Sequence, residues 1–154
     1  MLIICPEILD QMIRLAVDQY PNEACGILKG EKGGNSVTEF VPCKNSYDEL
    51  HARDPQTYPR TAQTAYWIDA REQQRILALF EQEGMEAKGV FHSHTDHDAY
   101  FSAEDRLIAA PWGGPIYPQF SYVVVSVWNK KFKEANQFCW DEKKKEFVGS
   151  PLLR

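Results

Sequence analysis

The sequence predicts an α+β domain in which a largely antiparallel sheet packs between helices. Three observations predict it. Helical and strand periods are interspersed along the chain, several strand segments are joined by tight turns, and the first helical segment carries a clean apolar stripe to bury. With 154 residues, the chain suits one domain spanning 1–154. A domain of that size buries ~70% of its unfolded surface, enough for a core without disulfide staples.

The first element is a helix over residues 8–20. Ile8, Leu9, Met12, Ile13, Ala16, Val17 and Tyr20 fall on one face of a 3.6-residue period, with Pro6 suited to the first turn and Pro21 to the stop. Ala24–Leu28 is a short apolar strand ending at Gly30, and Gly33-Gly34-Asn35 turns it into a second strand over Val37–Cys43. Residues 44–66 are polar, lack a sustained period and contain Pro55 and Pro59, so they are expected to be a long functional or mobile loop. Asp69 and Glu72 have capping-box spacing ahead of a helix carrying Ile76, Leu77 and Phe80, which Gly84 ends. Lys88–His94 reads as a strand with a polar end, 95–101 as a loop, and Ser102 as the start of a short helix ended by Pro111. The run Tyr122–Val127 is the strongest strand signal. Asn129-Lys130 turns it into a partner over Glu134–Trp140, and Phe147-Val148 forms a last short strand after a solvated turn.

Composition narrows the function classes. Hydrophobic residues make up 44% and charged residues 25%, which excludes a disordered or fibrous chain. The net charge of −5 and the lack of a basic stripe argue against a nucleic-acid partner. No apolar run approaches the ~18 residues of a membrane span, and the N-terminus lacks the basic and apolar regions of a signal peptide. Cys5, Cys25, Cys43 and Cys139 form no Cys-x-x-Cys pair, so they are expected to be reduced thiols in a cytoplasmic protein.

The chemistry concentrates in His92-Ser93-His94 and Ser102-Ala103-Glu104-Asp105. Residues two apart on a strand share a face, so His92 and His94 aim at one place while Ser93 points away. Two imidazoles and a carboxylate from the next helix, Asp105, would give a zinc ion three protein ligands and leave one open position, the pattern of a catalytic site. Such a metal brings water's ionisation towards ~pH 7. A base and an oxyanion donor are still required; Ser102 is a candidate donor, and the base must come from elsewhere. Taken alone, Ser102-x-x-Asp105 is better read as a helix capping box, with which metal ligation is compatible.

His-x-His, seven residues, then Ser-x-x-Asp resembles the JAMM motif of MPN+ domain metalloproteases. Pro21–Gly30, entering the first strand, looks like the family's upstream element, and Glu23 matches its glutamate. The resemblance covers essentially the whole chain and is similar to the small bacterial members. It implies an MPN-like (cytidine-deaminase-like) fold, with one zinc per chain held by His92, His94 and Asp105. It further implies that Glu23 is the general base and Ser102 the oxyanion donor. Thr95 and Phe101 stand where the family usually has prolines, which bears on the geometry of the intervening loop. In that loop His97 and Asp98 are candidates for metal or substrate contact, against a plain reading as solvated loop residues. Arg53, Tyr58, Arg60 and Tyr66 lie where the family often has a substrate-contacting insertion.

The implied function is zinc-dependent hydrolysis of a peptide or isopeptide bond at the C-terminal tail of a ubiquitin-like sulfur-carrier protein of the ThiS/MoaD type. Two alternatives stand beside it: a non-catalytic MPN-type binding module, and a zinc hydrolase of small peptides or amides. Oligomeric state is left open, a homodimer included.

Overall fold

In the computed structural model, which describes residues 1–153, the chain runs α1 (Pro6–Gln19), β1 (Cys25–Glu31), β2 (Glu39–Cys43), α2 (Tyr47–Arg53), α3 (Ala70–Gln82), β3 (Met85–Thr95), α4 (Ala103–Ala109), β4 (Ser121–Trp128), β5 (Lys131–Asp141) and β6 (Glu146–Pro151). The strands form one sheet in the order β2-β1-β3-β4-β5-β6, antiparallel throughout except for the parallel pair β3–β4. A parallel pair needs a crossover, and α4 with its flanking loops supplies it. The crossover puts α4 at the carboxyl end of β3, where open sheets tend to bind ligands.

Both faces of the sheet are covered, as expected. On one face, α1 buries Leu9, Met12, Ile13 and Ala16 against Leu28, Phe91, Val123 and Val125. On the other, α3 packs Ile76 and Phe80 against Ile27 and Cys25, while α4 packs Ala109 among Phe120, Tyr122 and Val124. Alternation along β3 therefore assigns Phe91 to the α1 side and Val90 to the α3 and α4 side. Gly89 lets β3 and β4 meet: a Cβ there would lie 1.9 Å from the Ser121 carbonyl oxygen, a backbone atom that cannot swing aside.

Three expectations are corrected. Residues 44–66 are not loop throughout, because α2 occupies Tyr47–Arg53. That helix buries no residue, so it has no apolar stripe for periodicity to detect. It carries Asp48 and Glu49 in its first turn and His51 and Arg53 in its last, which complement the helix dipole. The strands also have other bounds than expected. β3 begins at Met85, where Met85, Glu86 and Ala87 pair with Glu31, Gly30 and Lys29. β5 begins immediately after a two-residue turn in which Asn129 and Lys130 both have positive φ (46° and 62°), the geometry a tight hairpin requires. β6 reaches Pro151, which an edge strand tolerates. Finally, Val37 and Thr38 precede the β2 ladder, although Val37 remains buried.

Candidate metal centre

His92 and His94 stand at the carboxyl end of β3 on the α4 side, both almost fully buried. Ser93 between them faces the other way, and its Oγ accepts a hydrogen bond from the Ala24 amide at 2.7 Å. Asp105 comes from the first turn of α4 as part of a complete capping box. The Ser102 hydroxyl oxygen accepts from the Asp105 amide at 3.0 Å, and the Asp105 carboxylate accepts from the Ser102 amide at 2.8 Å. The cap therefore fixes the carboxylate's position. The capping role leaves the carboxylate positioned to take part in a cation site.

The three side chains converge. His92 Nε2 lies 3.2 Å from His94 Nε2 and 3.2 Å from Asp105 Oδ1, and His94 Nε2 lies 3.6 Å from Asp105 Oδ2. Ligands arranged tetrahedrally at ~2.0–2.1 Å around one zinc stand roughly 3.3 Å apart, so this donor set fits a small cation. His94 Nδ1 donates to the Asp98 carbonyl at 2.7 Å, which leaves the Nε2 lone pair facing the cluster, the usual outer contact of a ligating histidine. Burial holds His92 below the ordinary imidazole range, so it is neutral at neutral pH. Burial alone would raise Asp105, but the His92 and His94 rings and the Ser102 contact hold its carboxyl well below the usual range. Two imidazoles beside a fixed carboxylate form a ready cation site. Tyr66 stacks on the His92 ring at 4.4 Å with the planes 17° apart, which fixes the imidazole's tilt.

Glu23 enters from the α1–β1 connection. Its amide donates to the Ala62 carbonyl at 2.7 Å, and its own carbonyl accepts from Asn45 Nδ2 at 2.9 Å. The side chain is 3% exposed. Burial, then the nearby Asp105 charge, raises its carboxyl well above the ordinary value. Its carboxylate groups with His94 and His97, the three donor atoms lying within 4.8 Å of one another. A buried carboxyl poised to hold or release a proton beside a cation site is suited to general base work.

A cleft of about 660 Å³ opens over this cluster, lined by Glu23, His94, Ser102 and Asp105. Of the residues proposed from sequence for substrate, Tyr58, Arg60, Tyr66 and His97 line it. Arg53 is exposed on α2, outside the lining. His97 lies face to face with His94 at 4.1 Å, and its Nδ1 is buried without a hydrogen-bond partner. The Asp98 side chain instead pairs with Lys133 at the surface. Sequence reasoning missed Asn45. Its amide donates to the carbonyls of Glu23 and Ala65, and its oxygen accepts from the Tyr47 and Trp67 amides at 3.1 Å each, tying Glu23 to the loop that bears Tyr66. The one available signal was an Asn two residues past the end of a strand, a frequent turn former. Cys25 and Cys43 oppose each other across β1 and β2. Burial pushes both thiols up, Cys43 to about 12, so neither is a nucleophile at neutral pH.

A desampylase from Haloferax volcanii is 36% identical over 102 residues, a match spanning 66% of this chain and 64% of that protein. A CysO-cysteine peptidase from Mycobacterium tuberculosis is 29% identical over 125 residues, covering 81% of this chain and 73% of the relative. Among solved structures, a Salinibacter ruber protein superposes with a TM-score of 0.64 at 30% identity, covering 98% of this chain and 90% of its own. A JAB1/MPN domain protein from Archaeoglobus fulgidus shares the fold, with a TM-score of 0.52 at 16% identity over 94% of this chain and 93% of its own. Residues 6–142 match the family model of prokaryotic homologs of the JAB domain, and the chain belongs to that family.

Proposed function

We propose that the chain is a zinc-dependent peptidase that hydrolyses a peptide or isopeptide bond at the C-terminal tail of a ubiquitin-like sulfur-carrier protein. The observation that carries this reading is the buried Glu23 carboxyl sharing one cleft with His94 and Asp105, two members of the cluster that His92 completes. The relatives named desampylase and CysO-cysteine peptidase support the reaction class and the substrate. Residues 1–154 act as one hydrolase domain, and the unpaired cysteines fit a reducing cytoplasm. No helix among the described residues is long and apolar enough to cross a membrane.

His92, His94 and Asp105 would hold the zinc, which when bound supplies Lewis acidity towards water and a substrate carbonyl. Glu23 takes the proton that water loses as it adds to the carbonyl carbon. It then returns that proton to the nitrogen as the C–N bond breaks, so a carboxylate and an amine leave. Ser102 is arranged to help the charge that builds on the carbonyl oxygen. Its oxygen accepts from the Asp105 amide, and its hydroxyl hydrogen stays free to donate. Tyr66 holds the His92 ring, and Asn45 holds the Glu23 backbone.

The test is a Glu23→Gln variant assayed by mass spectrometry against a sulfur carrier extended at its tail. The native protein is expected to shorten the tail. The variant is expected to lose turnover while keeping its zinc. Loss of zinc from the variant would show that Glu23 is a ligand and refute this division of roles.

A further inference from the structure

We propose that Arg60 recognises the free α-carboxylate of the residue that leaves, which makes the protein a remover of single C-terminal residues in preference to an isopeptidase. The inference rests on the peptidase reading above and specifies its substrate.

Arg60 is the lone arginine or lysine among the described residues lining the cleft. It stands between the two walls. Nη1 donates to the Thr64 carbonyl at 3.1 Å within its own loop, and Nη2 pairs with Glu104, the neighbour of Asp105 in the first turn of α4. The side chain keeps 42% of its surface exposed, so incoming solute can reach it. It lines the same cleft as Glu23, within reach of a substrate held there.

Covalent geometry makes that reach informative. Glu23 serves the leaving nitrogen, so that nitrogen lies beside it. In a terminal residue the α-carboxylate carbon is two bonds from the nitrogen, roughly 2.5 Å away. A group that reads the carboxylate must therefore reach into the cleft that Glu23 lines, and Arg60 is the cation among that cleft's described lining residues. Thr64 and Glu104 do not exhaust the five N–H donors of a guanidinium, whose planar fork suits a carboxylate. The competing anion is Glu104, itself about half exposed, and an exposed pair of this kind is weak and readily exchanged. A lysine side chain in isopeptide linkage offers no carboxylate at that distance.

The test uses binding, so it does not depend on turnover. The probe is a fluorescein-labelled hexapeptide ending Gly-Gly-Ala, made as the free acid and as the C-terminal amide. Anisotropy is read on the zinc-loaded Glu23→Gln protein. The acid is expected to bind roughly tenfold to a hundredfold more tightly than the amide, the range for one charge-assisted contact. Adding Arg60→Gln should erase the difference, and adding Arg60→Lys should restore part of it. Adding Glu104→Gln instead, which removes the competing carboxylate, should strengthen acid binding severalfold. Equal binding of acid and amide, or binding of neither, overturns the assignment. So does an acid preference that survives Arg60→Gln, since it would then arise at the metal centre. If the acid preference behaves as expected but native protein cleaves neither peptide nor carrier, the peptidase reading fails while the carboxylate site stands.

Discussion

Replacing Ser102 separates its two roles, because one depends on the oxygen and the other on the hydroxyl hydrogen. The oxygen accepts from the Asp105 amide at 3.0 Å and caps α4. The hydrogen is the proposed oxyanion donor. Ser102→Ala removes both. Losing the cap costs about 1 kcal/mol, which in a chain of this size lowers the melting temperature by roughly 2–4 °C. Losing one preorganised donor to a developing oxyanion costs ~10²–10³ in kcat with little change in KM. Ser102→Asp then discriminates. Aspartate caps a helix as well as serine, so most of the lost stability returns. It has no hydrogen to donate and adds negative charge beside the oxyanion, so turnover stays at or below the alanine level. The assay pairs thermal unfolding with steady-state cleavage of a carrier tail, with zinc content checked in each variant so that metal loss is not mistaken for loss of the donor. An alanine variant within threefold of native kcat would refute the role, and so would an aspartate variant that recovers turnover.

Two further outcomes are expected. Tyr66→Phe keeps the stack on His92 and should leave stability and metal content near native, whereas Tyr66→Ala should cost about 3–5 kcal/mol, or roughly 10 °C; an alanine variant melting within ~3 °C of native would contradict the packing role. Glu23 sets a pH-dependent outcome. Its carboxyl is raised in the folded state by burial first and then by Asp105, so the folded metal-free protein holds the proton more tightly than the unfolded chain does. Stability is therefore lost as pH rises through that raised value. Glu23→Gln, which cannot ionise, should melt close to native protein at pH 4 and above it at pH 7, both without metal. A difference independent of pH would contradict the burial argument.

Much of the fold was legible because local chemistry and tertiary role agree. The α1 stripe survives as Ile8, Leu9, Met12, Ile13 and Ala16 buried against the sheet, and the valine run of β4 is buried at the centre of the sheet. The two-residue spacing of His92 and His94 sufficed to place both imidazoles on one face. What escaped depends on contacts distant in sequence or on elements without a buried face. Helix α2 has none. The parallel pairing of β3 with β4 follows from a crossover that no local turn signals. Glu23 looks like an ordinary strand-end carboxylate until the chain folds, and only the family resemblance singled it out. Tyr66 lies in the segment expected to contact substrate, and the fold places it against His92 as well as in the cleft wall. The hub formed by Asn45 reaches residues 22 positions away on either side of it and left no periodic trace.

The central claim is that His92, His94 and Asp105 form one cation site. It is tested most directly by plasma mass spectrometry of the purified protein beside its Asp105→Ala variant. About one zinc per chain is predicted for the native protein, with the variant largely depleted although it remains folded. A native protein without bound metal even after incubation with zinc, or an Asp105→Ala variant that retains a full equivalent, would contradict the site as described.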